Sequence, residues 1–447
     1  LALQFRRHWS RLDNDRSAYW IAGDSYFKHN GKRLRRSRRR PSVTVWLELR
    51  RLLALFLQFS KPAWGAVALR IAYWLTRPVL RRRRIWIYYD KIYRGGDNGE
   101  YAYRHAMTRD DDIHKYYVLN KVAPDTRRFK AEGTPYLQYG TLRHFLLFLN
   151  AEVVFGTHAN SVGVNGFRLR VEPYFRDLFD HETYCIQHGL SVQRLPHILN
   201  RVVDNTRAFM LAADIERENL LRPGYDYKPE QLIATGLARY DGLRSQDQKQ
   251  ILVTPTWRAY LAMPPNPGKR RNHSSQFKDS AYFRLYHDLL HDETLLQTAK
   301  RCGYEIVFLL HPVISAQRKD FQPAPEGVRV VDAASGANYE QLLSQSSLMV
   351  TDYSGVQFDF AFMRKPLVYY HPPELPPSYE EGAYQYATMA LGDVVHDHAA
   401  LVATLCEAME SGCALKPEYA ERIDRFFYFH DRDNAARIYD AARKLIG

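Results

Sequence analysis

Cysteine is scarce: Cys185, Cys302, Cys406 and Cys413 are the only four in 447 residues, too few and too scattered for a disulfide scaffold or a zinc finger. A reducing compartment is the default reading. Proline and glycine number 22 and 24, near average, and with 46% apolar and 25% charged residues this excludes collagen-like and disordered chains. A membrane-spanning helix, which needs about 20 predominantly apolar residues, is not expected either. In the most apolar segment, 43–80, the longest uncharged runs are 52–60 and 62–69, interrupted by Lys61, Arg70 and Arg77. Acidic residues are rare at the front. Residues 1–84 hold 21 Lys and Arg against Asp13, Asp15, Asp24 and Glu48, a net of +17, so the whole-chain +14 leaves −3 for the rest.

A basic front on a near-neutral body predicts contact with a polyanion. No nucleic-acid recognition motif accompanies the charge, so an anionic membrane surface is the expected partner and nucleic acid is not. The basic runs 32–40 and 81–84 bracket the apolar segment. There Trp46, Leu53, Phe56, Leu57, Trp64 and Trp74 offer apolar faces, and Arg50, Arg51, Lys61, Arg70 and Arg77 offer charges for lipid phosphates, as in an interfacial helix. The alternative is a pair of core helices with a solvated basic rim. The sequence opens on Leu1, so an upstream piece is expected and no leader peptide is read.

The length predicts two or three domains. From residue 85, short apolar strands at 85–89, 116–119, 153–156 and 183–187 alternate with helices near 99–108, 141–150 and 207–221. After a turn-rich link within 222–248, strands at 251–254, 306–310, 328–331, 348–351 and 367–370 repeat the theme. The expected fold class is α/β, with two Rossmann-like domains facing a cleft behind a basic, partly helical N-terminal segment. The expected boundaries are 1–84, 85–235 and 236–447.

Three places carry chemistry. An apolar strand ends at Thr351 and a helix is expected to open near Gly355, so free N–H groups and the positive helix end meet at the strand's carboxyl end, where a diphosphate fits. Ser354 would donate its hydroxyl, Gly355 would admit close approach and Asp352 would order the turn; a simple Ser354 cap is the alternative. His311 follows an apolar strand on the same expected edge and is a candidate phosphate contact, against a structural histidine. His188, followed by Gly189, ends a strand of the first half and is the candidate general base for an acceptor hydroxyl.

In chain order, KIYRGGDNGEY at 91–101, QHG at 187–189, TGLARYD at 235–241, PTWR at 255–258, HP at 311–312, TDYSGVQFDF at 351–360 and the closing DNAARI at 433–438 resemble the CDP-glycerol glycerophosphotransferases. These are the teichoic-acid primases and polymerases with related capsule polymerases. The resemblance runs from residue 83 to 445. It implies a glycosyltransferase B type of fold, an acceptor-binding first domain, a CDP-alditol-binding second domain and attachment to the cytoplasmic face of the membrane as a peripheral protein. It also implies that His188 and His311 are the two functional histidines. The chain departs from the family's pattern where two serines are common, having Ser354-Gly355, and where a basic residue often precedes His-Pro, having Leu309-Leu310.

The expected reaction is attack of a hydroxyl of a lipid-linked glycopolymer on the β-phosphorus of CDP-glycerol or CDP-ribitol, with CMP leaving. Thr256, Arg258, Thr351 and Asp352 join His311, Ser354 and Gly355 on the donor side, with a solvated Arg258 as its alternative. Asp97, Asn98 and Gly99 form the expected acceptor side, or else a plain turn. No cofactor and no metal are expected, because Asp110-Asp111-Asp112 reads as a solvated turn. The competing readings are a nucleotide-sugar glycosyltransferase of the same fold and an idle membrane-binding protein.

Overall fold

A computed structural model describes residues 41–446 except 159–162, 169, 202–205, 265–271, 333–338, 378–379 and 381, together with the backbone of three short strands near the start. Those strands, β1 (Tyr19–Ala22), β2 (Ser25–His29) and β3 (Leu34–Arg38), form an antiparallel sheet. The side chains of the basic run 32–40 lie outside the described residues.

Two parallel sheets organise the rest. The first contains β4 (Ile85–Tyr89), β5 (His114–Leu119), β6 (Leu137–Gln138), β7 (Val153–Gly156), β8 (Glu182–Cys185), β9 (Thr206–Leu211) and β10 (Leu232–Ala234), in the order β10-β9-β8-β7-β4-β5-β6. The second contains β11 (Gln250–Val253), β12 (Glu305–Leu310), β13 (Val328–Asp332), β14 (Ser346–Thr351), β15 (Leu367–Tyr370) and β16 (Asp393–Val395), in the order β13-β12-β11-β14-β15-β16. Both orders reverse beside the first strand of their sheet, between β4 and β7 and between β11 and β14. Such switch points open a crevice at the strands' carboxyl ends.

Strand β4 shows why these runs carry no polar alternation. Trp86 and Tyr88 enter one core with Phe155 and Tyr184, while Ile85, Ile87 and Tyr89 enter another with Val154 and Phe148. A parallel strand covered on both faces is apolar throughout. The same rule corrects the helix expected at 207–221. Its first part is β9, whose inner residues Ala208–Leu211 are all buried, and only Asp214–Leu220 is helical.

The expected boundary at 84 cuts through a packed unit. The helices Pro41–Phe56 and Lys61–Leu80 form a hairpin, the second capped by the Ser60 hydroxyl, and Ala63, Ala66 and Tyr73 pack on the core under β4 and β7. Arg70 is fully buried and grips Glu48 and Asp177 with both ends of its guanidinium. The opposite face is open: Trp46, Leu49, Leu53, Phe56, Phe59 and Leu75 are all exposed. The hairpin is therefore both core and apolar surface. None of the described helices is long and apolar enough to cross a membrane.

The expected second domain, 236–447, is also corrected at its end. The helix Asn434–Ile446 returns to the first sheet, because Ala435, Ile438, Tyr439 and Ala442 form a stripe that packs with Trp86, Tyr103 and Ala106.

Candidate active site

Every residue expected at the donor, acceptor or catalytic positions falls at the carboxyl edge of one sheet or the other, most of them beside a switch point. After β8 the chain turns at Gln187, which holds a left-handed φ of 60°. A non-glycine residue keeps that conformation only where its surroundings hold it. Here the Gln187 side chain donates to the Met210 carbonyl at 2.5 Å and accepts from the Ser191 hydroxyl at 3.0 Å, and its own carbonyl receives Asn98 Nδ2 at 3.0 Å. The turn projects His188, whose side chain is 53% exposed.

Asp97 caps the helix Asn98–Met107 and places Oδ2 2.5 Å from His188 Nδ1. Its other oxygen receives Arg239 Nη1 at 2.7 Å. Burial pushes the Asp97 pKa up, but Arg239 and then His188 outweigh it and hold the carboxyl well below the usual range. An ionised carboxylate on Nδ1–H leaves Nε2 of His188 as the proton acceptor. Lys91 Nζ lies 3.4 Å from that nitrogen, and the His158 ring stacks 6.0 Å from the His188 ring. Burial lowers the pKa of Lys91, and burial followed by His188 and Lys91 brings His158 down to about 4.

Asn98 and Gly99 belong to the frame of this site. Asn98 is fully buried, with Nδ2 on the Gln187 carbonyl and Oδ1 on the Arg239 N–H. Gly99 donates its N–H to Asp90 Oδ1 at 2.6 Å, and a Cβ there would stand 2.5 Å from the Tyr89 carbonyl oxygen. Neither faces outward to meet a ligand, which corrects their expected place among acceptor contacts. Asp97 turns its carboxylate to His188 and Arg239.

On the second sheet most of the expected donor residues point inward. Asp352 is fully buried and receives the Thr256 N–H at 2.8 Å, the Tyr353 N–H at 2.6 Å and Arg258 Nη1 at 2.9 Å. Arg258, 2% exposed, also donates to the Thr256 and Leu375 carbonyls, and the Thr351 hydroxyl donates to the Thr254 carbonyl. Arg258 is accordingly not a solvated cation; its charge is spent on Asp352. The Thr256 hydroxyl is buried without a hydrogen bond.

What stays open is the turn itself. Ser354 is half-buried, Gly355 is exposed, and a Cβ on Gly355 would meet nothing within 4 Å. The helix that follows, Val356–Phe362, has Gly355 as its N-cap and no side-chain cap, so the Ser354 hydroxyl is not consumed as one. His311 starts a 3-10 run, with Nδ1 accepting from the Val313 N–H at 3.2 Å and its ring stacked on Trp257. Burial, then Lys91 and His188, lower its pKa to about 4, so the histidines of the two sheets lie close enough to feel each other's charge. The loop after His188 touches the turn directly, Gln193 Nε2 donating to the Tyr353 carbonyl at 3.2 Å.

Lys91, His158, Arg239 and Asp359 belong to the site and were not singled out from the sequence. His158 was legible, since it follows β7 as His188 and His311 follow their strands. Lys91, Arg239 and Asp359 lie inside the quoted motifs, but nothing local tells an arginine that bridges two sheets from a solvated one.

The profile of a family described as CDP-glycerol:poly(glycerophosphate) glycerophosphotransferase matches residues 71–444. The chain is 34% identical over 369 residues to the minor teichoic acid biosynthesis protein GgaB of Bacillus subtilis (strain 168), covering 82% of this chain and 40% of that protein. It is 24% identical over 268 residues to a teichoic acid glycerol-phosphate transferase of Staphylococcus aureus (strain NCTC 8325 / PS 47), covering 57% of each. The chain thus spans about half the length of these curated relatives or less. Among solved structures, the wall teichoic acid polymerase TagF superposes with a TM-score of 0.59 at 15% identity, over 90% of this chain and 98% of that one. A TagF variant soaked with CDPG gives a TM-score of 0.57 at 16% identity, over the same shares. These likenesses show a shared fold.

Proposed function

Because the chain belongs to the CDP-glycerol:poly(glycerophosphate) glycerophosphotransferase family, we propose that it transfers glycerol phosphate, or a related alditol phosphate, from a CDP-alditol to a hydroxyl of a membrane-linked teichoic-acid-type acceptor. The observation that carries this reading is the meeting of His188, fixed by Asp97, with His311 and the open Ser354-Gly355 turn. The two sheets then border one cleft, acceptor on the first side and donor on the second.

In the proposed reaction the acceptor oxygen bonds to the β-phosphorus, the bond from that phosphorus to the bridging oxygen breaks, and CMP leaves with the bridging oxygen. The hydroxyl proton passes to His188 Nε2, and Asp97 offsets the charge of the imidazolium. His311, the Ser354 hydroxyl and the backbone at Gly355 hold the diphosphate, and Lys91 meets phosphoryl oxygens beside His188. Thr351, Asp352, Thr256 and Arg258 act behind the turn and keep its shape. The exposed face of the N-terminal hairpin, with Arg50, Arg81, Arg82 and Arg83 beside it, seats the protein on the cytoplasmic face of the membrane as a peripheral protein.

A donor panel of CDP-glycerol, CDP-ribitol and common nucleotide sugars, with a lipid-linked acceptor, tests the chemistry. CMP release with one of the CDP-alditols is expected; turnover of UDP or GDP sugars alone would replace this reading with glycosyl transfer. Sedimentation with vesicles tests the seat. Binding to anionic vesicles should weaken with salt without vanishing, since apolar insertion is not screened; equal binding to neutral and anionic vesicles would refute the basic contribution.

A further inference from the structure

Arg239 sits in the short 3-10 turn Ala238–Asp241, between the two sheets. Its Nε and Nη2 grip both oxygens of Asp359 at 2.5 and 2.8 Å, and its Nη1 donates to Asp97 Oδ1 at 2.7 Å and to the His188 carbonyl at 2.8 Å. Its backbone N–H donates to Asn98 Oδ1 at 2.9 Å. Asp359 stands on the helix Val356–Phe362, a turn beyond Ser354-Gly355. An unbroken chain of ionic hydrogen bonds therefore runs from the helix behind the proposed diphosphate turn to the ring proposed as base. The charged side chains along it are largely shielded, Asp359 at 4% exposure, Arg239 at 13% and Asp97 at 16%.

We propose that Arg239 and Asp359 are positioning residues through which the second half sets the proton affinity and orientation of His188. Asp359 takes up the Arg239 charge and so leaves Asp97 free to favour a protonated ring. Without Asp359 the guanidinium would oppose that proton; without Arg239 the full charge of Asp97 would favour it. The other groups facing His188 are Lys91 on Nε2, His158 stacked beside it and His311 across from it. All three are left in place in every variant below. For catalysis this inference rests on His188 being the base, as proposed above; the titration of its ring does not.

The test is an NMR titration of the full chain labelled at histidine Cε1, with the His188 signal assigned by its loss in His188→Gln. Asp359→Asn should lower the His188 pKa by about half a unit or more and Arg239→Gln should raise it by a similar amount. Opposite shifts exclude a general loosening of the fold, which would move both variants the same way. Arg239→Lys keeps the charge without the fork, so it should titrate nearly as wild type while kcat falls about tenfold and donor KM changes less. Unshifted or same-direction titrations in folded Asp359→Asn and Arg239→Gln overturn the inference. If Asp359→Asn does not fold, Arg239→Gln decides alone, and an unchanged or lowered pKa there overturns it. Should no CDP-alditol be turned over, the proposed activity falls while the titration still settles this point.

Discussion

At the carboxyl edge of the first sheet, ionisable side chains face one another around His188, whereas at the matching edge of the second sheet the charged pair Asp352–Arg258 is turned inward and sealed. The two edges follow the same strand order, so topology does not separate them. Burial does. Where the pair lies under the turn it is a strut, and of the residues expected on the donor side Ser354, Gly355 and His311 stay at least partly open. Where it lies beside an exposed imidazole it tunes that imidazole. The same residue types, ion pairs of Asp with Arg, thus do two different jobs according to what they cover.

The largest effect is expected at the strut. Arg258→Ala leaves Asp352 as a buried, uncompensated charge and should cost about 3–5 kcal/mol in a denaturant titration, because removing one partner of a buried pair exposes the full desolvation cost of the other. A loss below about 1 kcal/mol would mean that the second edge does not depend on the pair. At the first edge, His188→Ala should lower kcat by about 10²-fold, near 3 kcal/mol of barrier, with the affinity for CDP almost unchanged. Full activity would remove the base from that edge.

Acid should act on both edges next. His158 and His311 both fall to about 4, below the usual 6.5 of an unfolded chain, so between those values the unfolded state binds more protons. Their contribution to stability is complete above pH 6.5 and is lost as pH falls toward 4. Asp97, held down by Arg239 and His188 against burial, adds a loss only below the ordinary carboxylate range. Melting temperatures should accordingly drop between pH 7 and pH 4.5, and His311→Gln should flatten that slope; an unaltered slope would refute the neutral, buried state of His311. CDP, by bringing negative charge to His311, should be bound near pH 5.5 with net proton uptake, readable by calorimetry in buffers of different ionisation enthalpy.

The smallest effect is expected at the open turn. Ser354→Ala should weaken CDP binding by roughly 3- to 10-fold, the net worth of one ordinary hydrogen bond from a half-exposed hydroxyl, while leaving the fold intact. Unchanged CDP affinity would take the hydroxyl out of the donor contact.

Most of the frame was legible from residue pattern. Runs such as Ile85–Tyr89 and Leu367–Tyr370 are apolar from end to end and flanked by turns, which marks a strand covered on both faces, and a histidine just past such a run marks a sheet's carboxyl edge. His188 and His311 both carry that mark. The run at 207–211 lacks that mark, because a short apolar stretch joined to the helical 214–220 carries no period that separates strand from helix. For the N-terminal hairpin the residue pattern allows an interfacial helix or a pair of core helices; packing buries Ala63 and Ala66 on one face and leaves Leu53 and Leu75 exposed on the other.

The order of residues carries nine strands of the two sheets, the alternation that makes those sheets parallel and the chemistry available at their ends, since periodicity and turn residues act over a few positions; the short β6, β10 and β16 and the strand β9 are not marked in it. Which of those groups remain available depends on contacts between distant parts of the chain. Arg258 is spent on Asp352, 94 positions away, Arg239 on Asp97 and Asp359, 142 and 120 positions away, and the helix Asn434–Ile446 covers Trp86 from the far end of the chain. A charge seeks whatever partner burial leaves within about 4 Å, and that distance is set by how the sheets pack.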